Sequence, residues 1–254
     1  MESARVVVLG ASSGLGRSIA IGLGQRGHRV ALLARRLQRL ESAAAETGPG
    51  TLAIECDVTS ESSVQQAIAQ AAAGLGGIDA MIYAPGVSPL CAIEETDAAT
   101  WRWMFDTNVI GASTATAAAL PHLRATQGKA IYLSSVAGSQ TAPWPGLGAY
   151  AVSKAALDKL IDAWRVEHRE IGFTRFVVGD CSGGKGESQT EFNATWDPAK
   201  RAEFGPAWVA QRLITGALVE VEEMINVMNT VVSGGPSMSM PTVIVTARPA
   251  PTAK

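Results

Sequence analysis

The chain has 254 residues, 47% of them hydrophobic and 17% charged, with 21 basic and 23 acidic side chains giving a net charge of −2. That length fits one large domain or two small ones, with enough apolar residues for a sizeable core without disulfides. The basic residues are scattered, no apolar run approaches a membrane span, and Cys56, Cys91 and Cys181 are far apart without metal-ligand spacing, which argues against nucleic acid, membrane and metal. The segment from Met1 to Arg5 shows no signal-peptide pattern, so a cytoplasmic protein with buried free thiols is expected. Val6–Leu9 is a short β-branched run ending at a glycine, as a buried parallel strand would. Gly10, Ala11, Ser12, Ser13, Gly14, Leu15 and Gly16 follow, and a helical pattern runs from Arg17 to about Arg26. Strand, glycine loop and helix together are the context in which backbone N–H groups approach a pyrophosphate at a helix N-terminus. The glycine spacing is three and then one, unlike the common G-x-G-x-x-G, and a plain structural turn stays open as the alternative.

His28–Ala34 reads as a second strand, followed by Arg35, Arg36 and a helix through Glu46. Enzymes that use NAD carry an acidic residue about 20 positions after the glycines to hold the ribose 2′-hydroxyl. Arginines stand there instead, and a planar guanidinium suits a 2′-phosphate. Positive charge at a helix start opposes the macrodipole, so structure alone gives no reason for the pair. NADP(H) is therefore expected over NAD. Thr51–Cys56 is a third strand with Asp57 and Val58 at its cofactor-facing end, and Thr59 opens a helix to Ala73. Ile78–Tyr83 is a fourth strand, broken by Ala84, Pro85 and Gly86. Strands alternating with helices imply a parallel sheet with right-handed crossovers. One long helical region is expected from Thr96 to about Thr126, with Asn108 inside it as a poor interior helix residue. Ala130–Ser135 is a fifth strand that leaves two hydroxyls, Ser134 and Ser135, at its end, and Thr174–Val178 is a sixth. A glycine-rich segment from Gly179 follows; residues 179–205 are expected to form a loop that either closes over a ligand or is a disordered crossover. One or two helices are expected between Pro206 and Met228, a last strand over Thr242–Thr246, and a disordered tail over 248–254. With no internal repeat or linker signal, residues 1–254 read as a single domain.

Between the fifth and sixth strands lies Tyr150-Ala-Val-Ser-Lys154. Residues four apart share one helix face, and an ammonium that close is expected to lower the tyrosine pKa from its ordinary value near 10, making Tyr150 a proton donor or acceptor. The glycine loop, Asn108, Ser135 and Tyr150-x-x-x-Lys154 stand in the order of a known family: the chain resembles a short-chain dehydrogenase/reductase of the compact type, from Val6 to Val245. The resemblance implies a doubly wound, Rossmann-like α/β fold of about seven parallel strands with helices on both faces. It implies that Tyr150 protonates the carbonyl oxygen during reduction, that Ser135 hydrogen-bonds the same oxygen, and that Lys154 lowers the tyrosine pKa and holds the nicotinamide ribose. Asn108 would bend its helix and anchor a water relaying protons to Lys154. Gly10, Ser12, Ser13, Gly14, Leu15 and Gly16 would form the cofactor loop, with Asp57, Val58, Ala84 and Gly86 around the adenosine and Thr190 as the candidate for the nicotinamide carboxamide. Ser134 is the rival of Ser135, which the Ser135-Val136-Ala137-Gly138 run favours.

The chain also departs from the family. Tyr83-Ala84-Pro85-Gly86 replaces the usual Asn-Asn-Ala-Gly, the interval from Ser135 to Tyr150 is longer, and Asp180-Cys181-Ser182-Gly183 stands where Pro-Gly is usual. Trp144, Phe192, Trp196 and Trp208 are candidates for apolar walls, or for plain packing. His122 and His168 show no visible partner. The expected function is NADPH-dependent reduction of a ketone or aldehyde, with a 3-oxoacyl-thioester reductase and a non-catalytic NADP-binding scaffold as alternatives. A homodimer or homotetramer is expected, with a small-molecule substrate as the other partner.

Overall fold

The computed structural model describes residues 3–214 and 216–248. Among them, β1 (Arg5–Leu9), β2 (Arg29–Ala34), β3 (Leu52–Glu55), β4 (Ala80–Tyr83), β5 (Lys129–Ser135), β6 (Gly172–Val178) and β7 (Thr242–Val245) form one parallel sheet in the order β3-β2-β1-β4-β5-β6-β7. The central strands carry apolar residues on both faces, which suits a sheet covered on both sides. Their alternation divides the core. Val7, Leu9, Ala31 and Leu33 face Val64 and Ile68 of α3 (Glu61–Leu75), Ala115 and Leu123 of α5 (Gly111–Thr126), and Leu157 and Ile161 of α7 (Gly148–Glu167). Val6, Val8, Val30 and Leu32 face the other way, onto Ile19 and Leu23 of α1 (Gly14–Gln25), Leu40 of α2 (Leu37–Thr47), and Met224 and Met228 of α9 (Val221–Ser233). Strand order reverses where β1 lies beside both β2 and β4, with Val8 opposite Leu32 on one side and Ile82 on the other. In such sheets the crevice beyond the strand ends at this reversal is where ligands bind.

Three expectations need correction. The helical run from Thr96 to Thr126 is not continuous: α4 (Ala98–Phe105) gives way to a π-helical turn over Asp106–Ile110 before α5 begins. The helical stretch expected from Pro206 starts earlier. Asp197 accepts the Ala199 N–H at 2.8 Å and Pro198 takes the first position of α8 (Pro198–Ala210), so the latter part of the expected loop over residues 179–205 is helix. His168 does have partners, for Arg124 Nη2 lies 2.9 Å from its Nδ1 and its ring stacks on Trp164 at 5.2 Å. A four-residue helix, α6 (Val136–Ser139), occupies part of the long interval before Tyr150. The expected disordered tail, apart from Arg248, lies outside the described residues. Among the described residues no helix is long and apolar enough to cross a membrane.

Candidate active site

A cleft of about 820 Å³ opens at the C-terminal ends of the strands. Its lining includes Gly10, Ser12, Ser13, Gly14, Leu15 and Gly16 after β1, Arg35 and Arg36 after β2, Asp57 and Val58 after β3, and Ala84 and Gly86 after β4. Ser134 and Ser135 after β5, Tyr150 and Lys154 of α7, and Thr190 complete the set singled out in the sequence, apart from Asn108. Asn108 is fully buried behind the wall.

The glycine turn is tight for a steric reason. Gly10 has φ +78° and Gly14 φ +57°, and a Cβ on Gly16 would collide with the Gly10 carbonyl. Pro85, which stands in place of the family's alanine, packs against this turn: its nitrogen would lie 2.9 Å from a Cβ at Gly10. Arg36 caps α2 at its N-terminus and reaches back over the turn. Its Nε donates to Ser12 Oγ at 3.2 Å, and its Nη2 to Ser12 Oγ at 2.8 Å and Ser13 Oγ at 2.9 Å. Burial pushes the Asp57 carboxyl up, but the Thr59 N–H, the Thr59 hydroxyl and nearby Arg35 outweigh it and hold the group below its usual value.

At the other end of the cleft Ser134 and Ser135 take different tasks. The Ser134 hydroxyl is buried and donates to Asp158 Oδ1 at 2.6 Å. Ser135 accepts the Ala137 N–H at 3.2 Å and is near enough to Tyr150 to act against the rise of its pKa. Lys154 is 3% exposed; its Nζ donates to the Leu133 carbonyl at 2.8 Å and lies 5.8 Å from the Tyr150 ring centre. The tyrosine does not have the lowered pKa expected from Lys154. Burial pushes it up to about 12, with Ser135 acting in the opposite direction. Burial also lowers Lys154 to about 8, with Asp158 raising it. A desolvated ammonium aimed at a carbonyl is a weaker influence on the phenol than the loss of water around it.

Asn108 lies within the π-helical turn, and its amide is almost fully used. Oδ1 accepts the Val87 N–H at 2.9 Å, while Nδ2 donates to the Val87 carbonyl and to Ser153 Oγ, both at 2.9 Å. Both amide hydrogens are spent, and one Oδ1 lone pair remains. Thr190 is exposed at the tip of the glycine turn, its Cα 3.6 Å from where a Cβ on Gly14 would be.

The four candidate aromatics form one string with Tyr150. Ring centres are 4.9 Å apart from Tyr150 to Phe192, 5.4 Å to Trp196, 6.1 Å to Trp208 and 5.7 Å to Trp144. The indole N–H groups of Trp196 and Trp208 donate to the carbonyls of Ser88 and Pro145, at 3.0 and 2.8 Å, so both rings are fixed. Asp180 lines the same cleft, and burial raises its pKa.

Two groups at the site escaped the sequence. Asp158 lies four residues past Lys154, a spacing that signals a shared helix face. Glu191 pairs with Arg36 and Arg39 across 155 and 152 positions, a relation that no local pattern carries.

The profile of the short chain dehydrogenase family matches residues 4–185. The chain belongs to that family. An uncharacterized oxidoreductase of Staphylococcus saprophyticus is 34% identical over 169 residues, covering 66% of this chain and 68% of that protein. The 11-beta-hydroxysteroid dehydrogenase A of Sesamum indicum is 32% identical over 180 residues, 68% of this chain but only 51% of that longer protein. Among solved structures, an alcohol dehydrogenase of the archaeon Thermococcus sibiricus, complexed with 5-hydroxy-NADP, superposes with a TM-score of 0.80 at 21% identity over the whole of both chains. A short-chain type dehydrogenase/reductase of Mycobacterium marinum gives 0.81 at 25% identity, over 95% of this chain and 93% of that one. The chain is thus an oxidoreductase of the short-chain dehydrogenase family, which uses nicotinamide cofactors.

Proposed function

We propose that this short-chain dehydrogenase is an NADP(H)-dependent reductase of ketones or aldehydes, reversible as an alcohol dehydrogenase, with Tyr150 as general acid and base. The observation that carries the proposal is the convergence of Ser135, Tyr150 and Lys154 in one cleft whose far end holds the glycine turn and Arg36. The cradle fits the cofactor. A Cβ at Gly16 has no room, the glycine turn lets a pyrophosphate come close once the Gln189 carbonyl gives up the Gly14 N–H, and the Arg36 guanidinium over the turn suits a 2′-phosphate. Arg35 and Arg36 would hold that phosphate, Asp57, Val58, Ala84 and Gly86 the adenosine, Tyr150 and Lys154 the nicotinamide ribose, and Thr190 the carboxamide. When bound, the cofactor supplies or accepts the hydride.

During reduction Tyr150 gives its phenolic proton to the carbonyl oxygen as charge develops there, and Ser135 donates a hydrogen bond to the same oxygen. With its pKa raised to about 12, Tyr150 is fully protonated at neutral pH, the state an acid needs. Lys154 stabilises the phenolate left behind. The free Oδ1 lone pair of Asn108 accepts from a water that returns a proton toward Lys154. The Tyr150-to-Trp144 aromatic string makes an apolar wall, and Lys154 is the only lysine or arginine among the lining residues at that end. This favours an uncharged, apolar carbonyl compound over a thioester delivered on an acidic carrier.

The test combines binding with turnover. NADPH should bind more tightly than NADH, and the advantage should vanish in an Arg35→Ala/Arg36→Ala double variant. Tyr150→Phe should weaken NADPH binding only modestly, by the loss of one ribose contact, while losing roughly 10²–10⁴-fold in the turnover of apolar ketones. Affinities that ignore the arginine substitutions would sink the NADP assignment, and no nicotinamide binding at all would leave a scaffold on this fold.

A further inference from the structure

Residues 186–192 lie just beyond the stretch matched by the family profile and cross the cofactor end of the cleft. They present two acceptors to groups that a dinucleotide phosphate also needs. The Gln189 carbonyl takes the N–H of Gly14 at 3.1 Å, a donor of the glycine turn. The Glu191 carboxylate takes Arg36 Nη1 at 2.6 Å and pairs through its other oxygen with Arg39. Arg36 spends its remaining engaged donors on Ser12 and Ser13, so its bidentate edge is held between the glycine turn and Glu191. A second latch lies four residues earlier, where Glu187 pairs with buried Arg17 at 2.7 Å and accepts from Ser42 at 2.8 Å. The segment therefore sits on the cofactor's anion-binding donors with an anion of its own.

We infer that Glu191 is a built-in competitor of the cofactor's 2′-phosphate: it holds Arg36 and Arg39 until the phosphate displaces it, and so sets how strongly the site prefers NADP(H) to NAD(H). The inference rests on the arginine pair being the 2′-phosphate site. A dianionic phosphate and a carboxylate compete for the same guanidinium donors, because two acceptors of like charge repel when they lie side by side. NADP(H) entry is then an exchange of one anion for another, and it frees the loop at Glu191. NAD(H) brings no such group and leaves the Glu191 contacts in place. Glu191 and Arg36 are both more than a third exposed in their side chains, so the competition is modest and screened by salt.

The experiment measures dissociation constants of NADPH and NADH, by nucleotide fluorescence, for the wild type, Glu191→Gln and Arg36→Ala. Glu191→Gln keeps the size of the side chain and removes its charge. It should tighten NADPH by about fivefold at low salt and less at high salt, with NADH changed by less than about twofold. Unchanged or weaker NADPH binding would overturn the inference. Equal tightening of both nucleotides would also overturn it, by making Glu191 a general cover with no relation to the phosphate. If Arg36→Ala leaves NADPH binding unchanged, the arginine is not a phosphate site, and the NADP assignment and this inference fall together. A weakening by Arg36→Ala with no effect of Glu191→Gln keeps the assignment and sinks the inference alone.

Discussion

Lys154 is pulled in opposite directions by its surroundings. Burial lowers its pKa to about 8, and Asp158, one helical turn further on, raises it. Asp158 is itself fixed, accepting from Ser134 at 2.6 Å and from Ser139 at 3.1 Å. Because the folded-state pKa lies below the ordinary 10.5, the charged lysine costs stability at pH values below about 8, and the cost is relieved as pH rises toward 10.5. The same charge has a functional reading. If turnover needs protonated Lys154 beside Tyr150, the rate falls as pH rises through the lysine pKa. Asp158→Asn removes the nearby negative charge, so Lys154 loses its proton more readily and the basic limb of the kcat profile should move to lower pH. A limb that stays in place would show that Asp158 serves to hold Ser134 and Ser139 and does not tune Lys154. At this scale the sequence was a good guide to which side chains meet: Tyr150 and Lys154 are local neighbours on one helix, and the two serines end one strand. It was a poor guide to the Tyr150 pKa, because the water excluded from a residue depends on what the distant chain lays over it.

Among the elements, the strands were readable because a parallel strand buried on both faces shows as an unbroken apolar run, as in Val6–Leu9. The glycine turn was readable for a steric reason, since the positions that must be glycine are those where a Cβ has no room. The π-helical turn over Asp106–Ile110 was not. Asn108 read as a poor helix residue that would bend its helix, and the constraint on its amide, the Val87 backbone 21 positions away, has no local signal. The start of α8 is present in the sequence as Asp197-Pro198, a cap followed by proline, but Pro206 offers a second start of the same kind and in fact stands inside the helix. Asn108→Ala would leave the Val87 N–H and carbonyl and the Ser153 hydroxyl without their partner in a buried place. Each such loss costs about 1–3 kcal/mol, softened by relaxation, so the variant should be destabilised by roughly 2–4 kcal/mol in urea denaturation with an unchanged slope. A loss below about 0.5 kcal/mol, within the range of an ordinary surface change, would show that the amide does not hold the turn.

Across the whole molecule, the cleft joins parts of the chain that read very differently. Its floor and the glycine turn lie within residues 4–185, the portion the family profile matches, and the segment carrying Glu191, Phe192, Trp196 and Trp208 lies beyond it. Short local motifs therefore mark the glycine turn, whereas the aromatic wall depends on long-range contacts such as Trp196 with Ser88 and Trp208 with Pro145. Both parts meet around one ligand site, so binding there should stabilise the assembled sheet as a unit. A ligand that binds only the folded chain adds about 2.7 kcal/mol at a hundred times its dissociation constant. For a chain of this length that corresponds to roughly 5–10 °C in Tm. NADPH should produce a shift of that size in differential scanning calorimetry, and Arg36→Ala should show a clearly smaller one at the same NADPH concentration, because fewer sites are filled. Equal shifts in the two proteins would mean that the 2′-phosphate contributes nothing to holding the two parts of the cleft together.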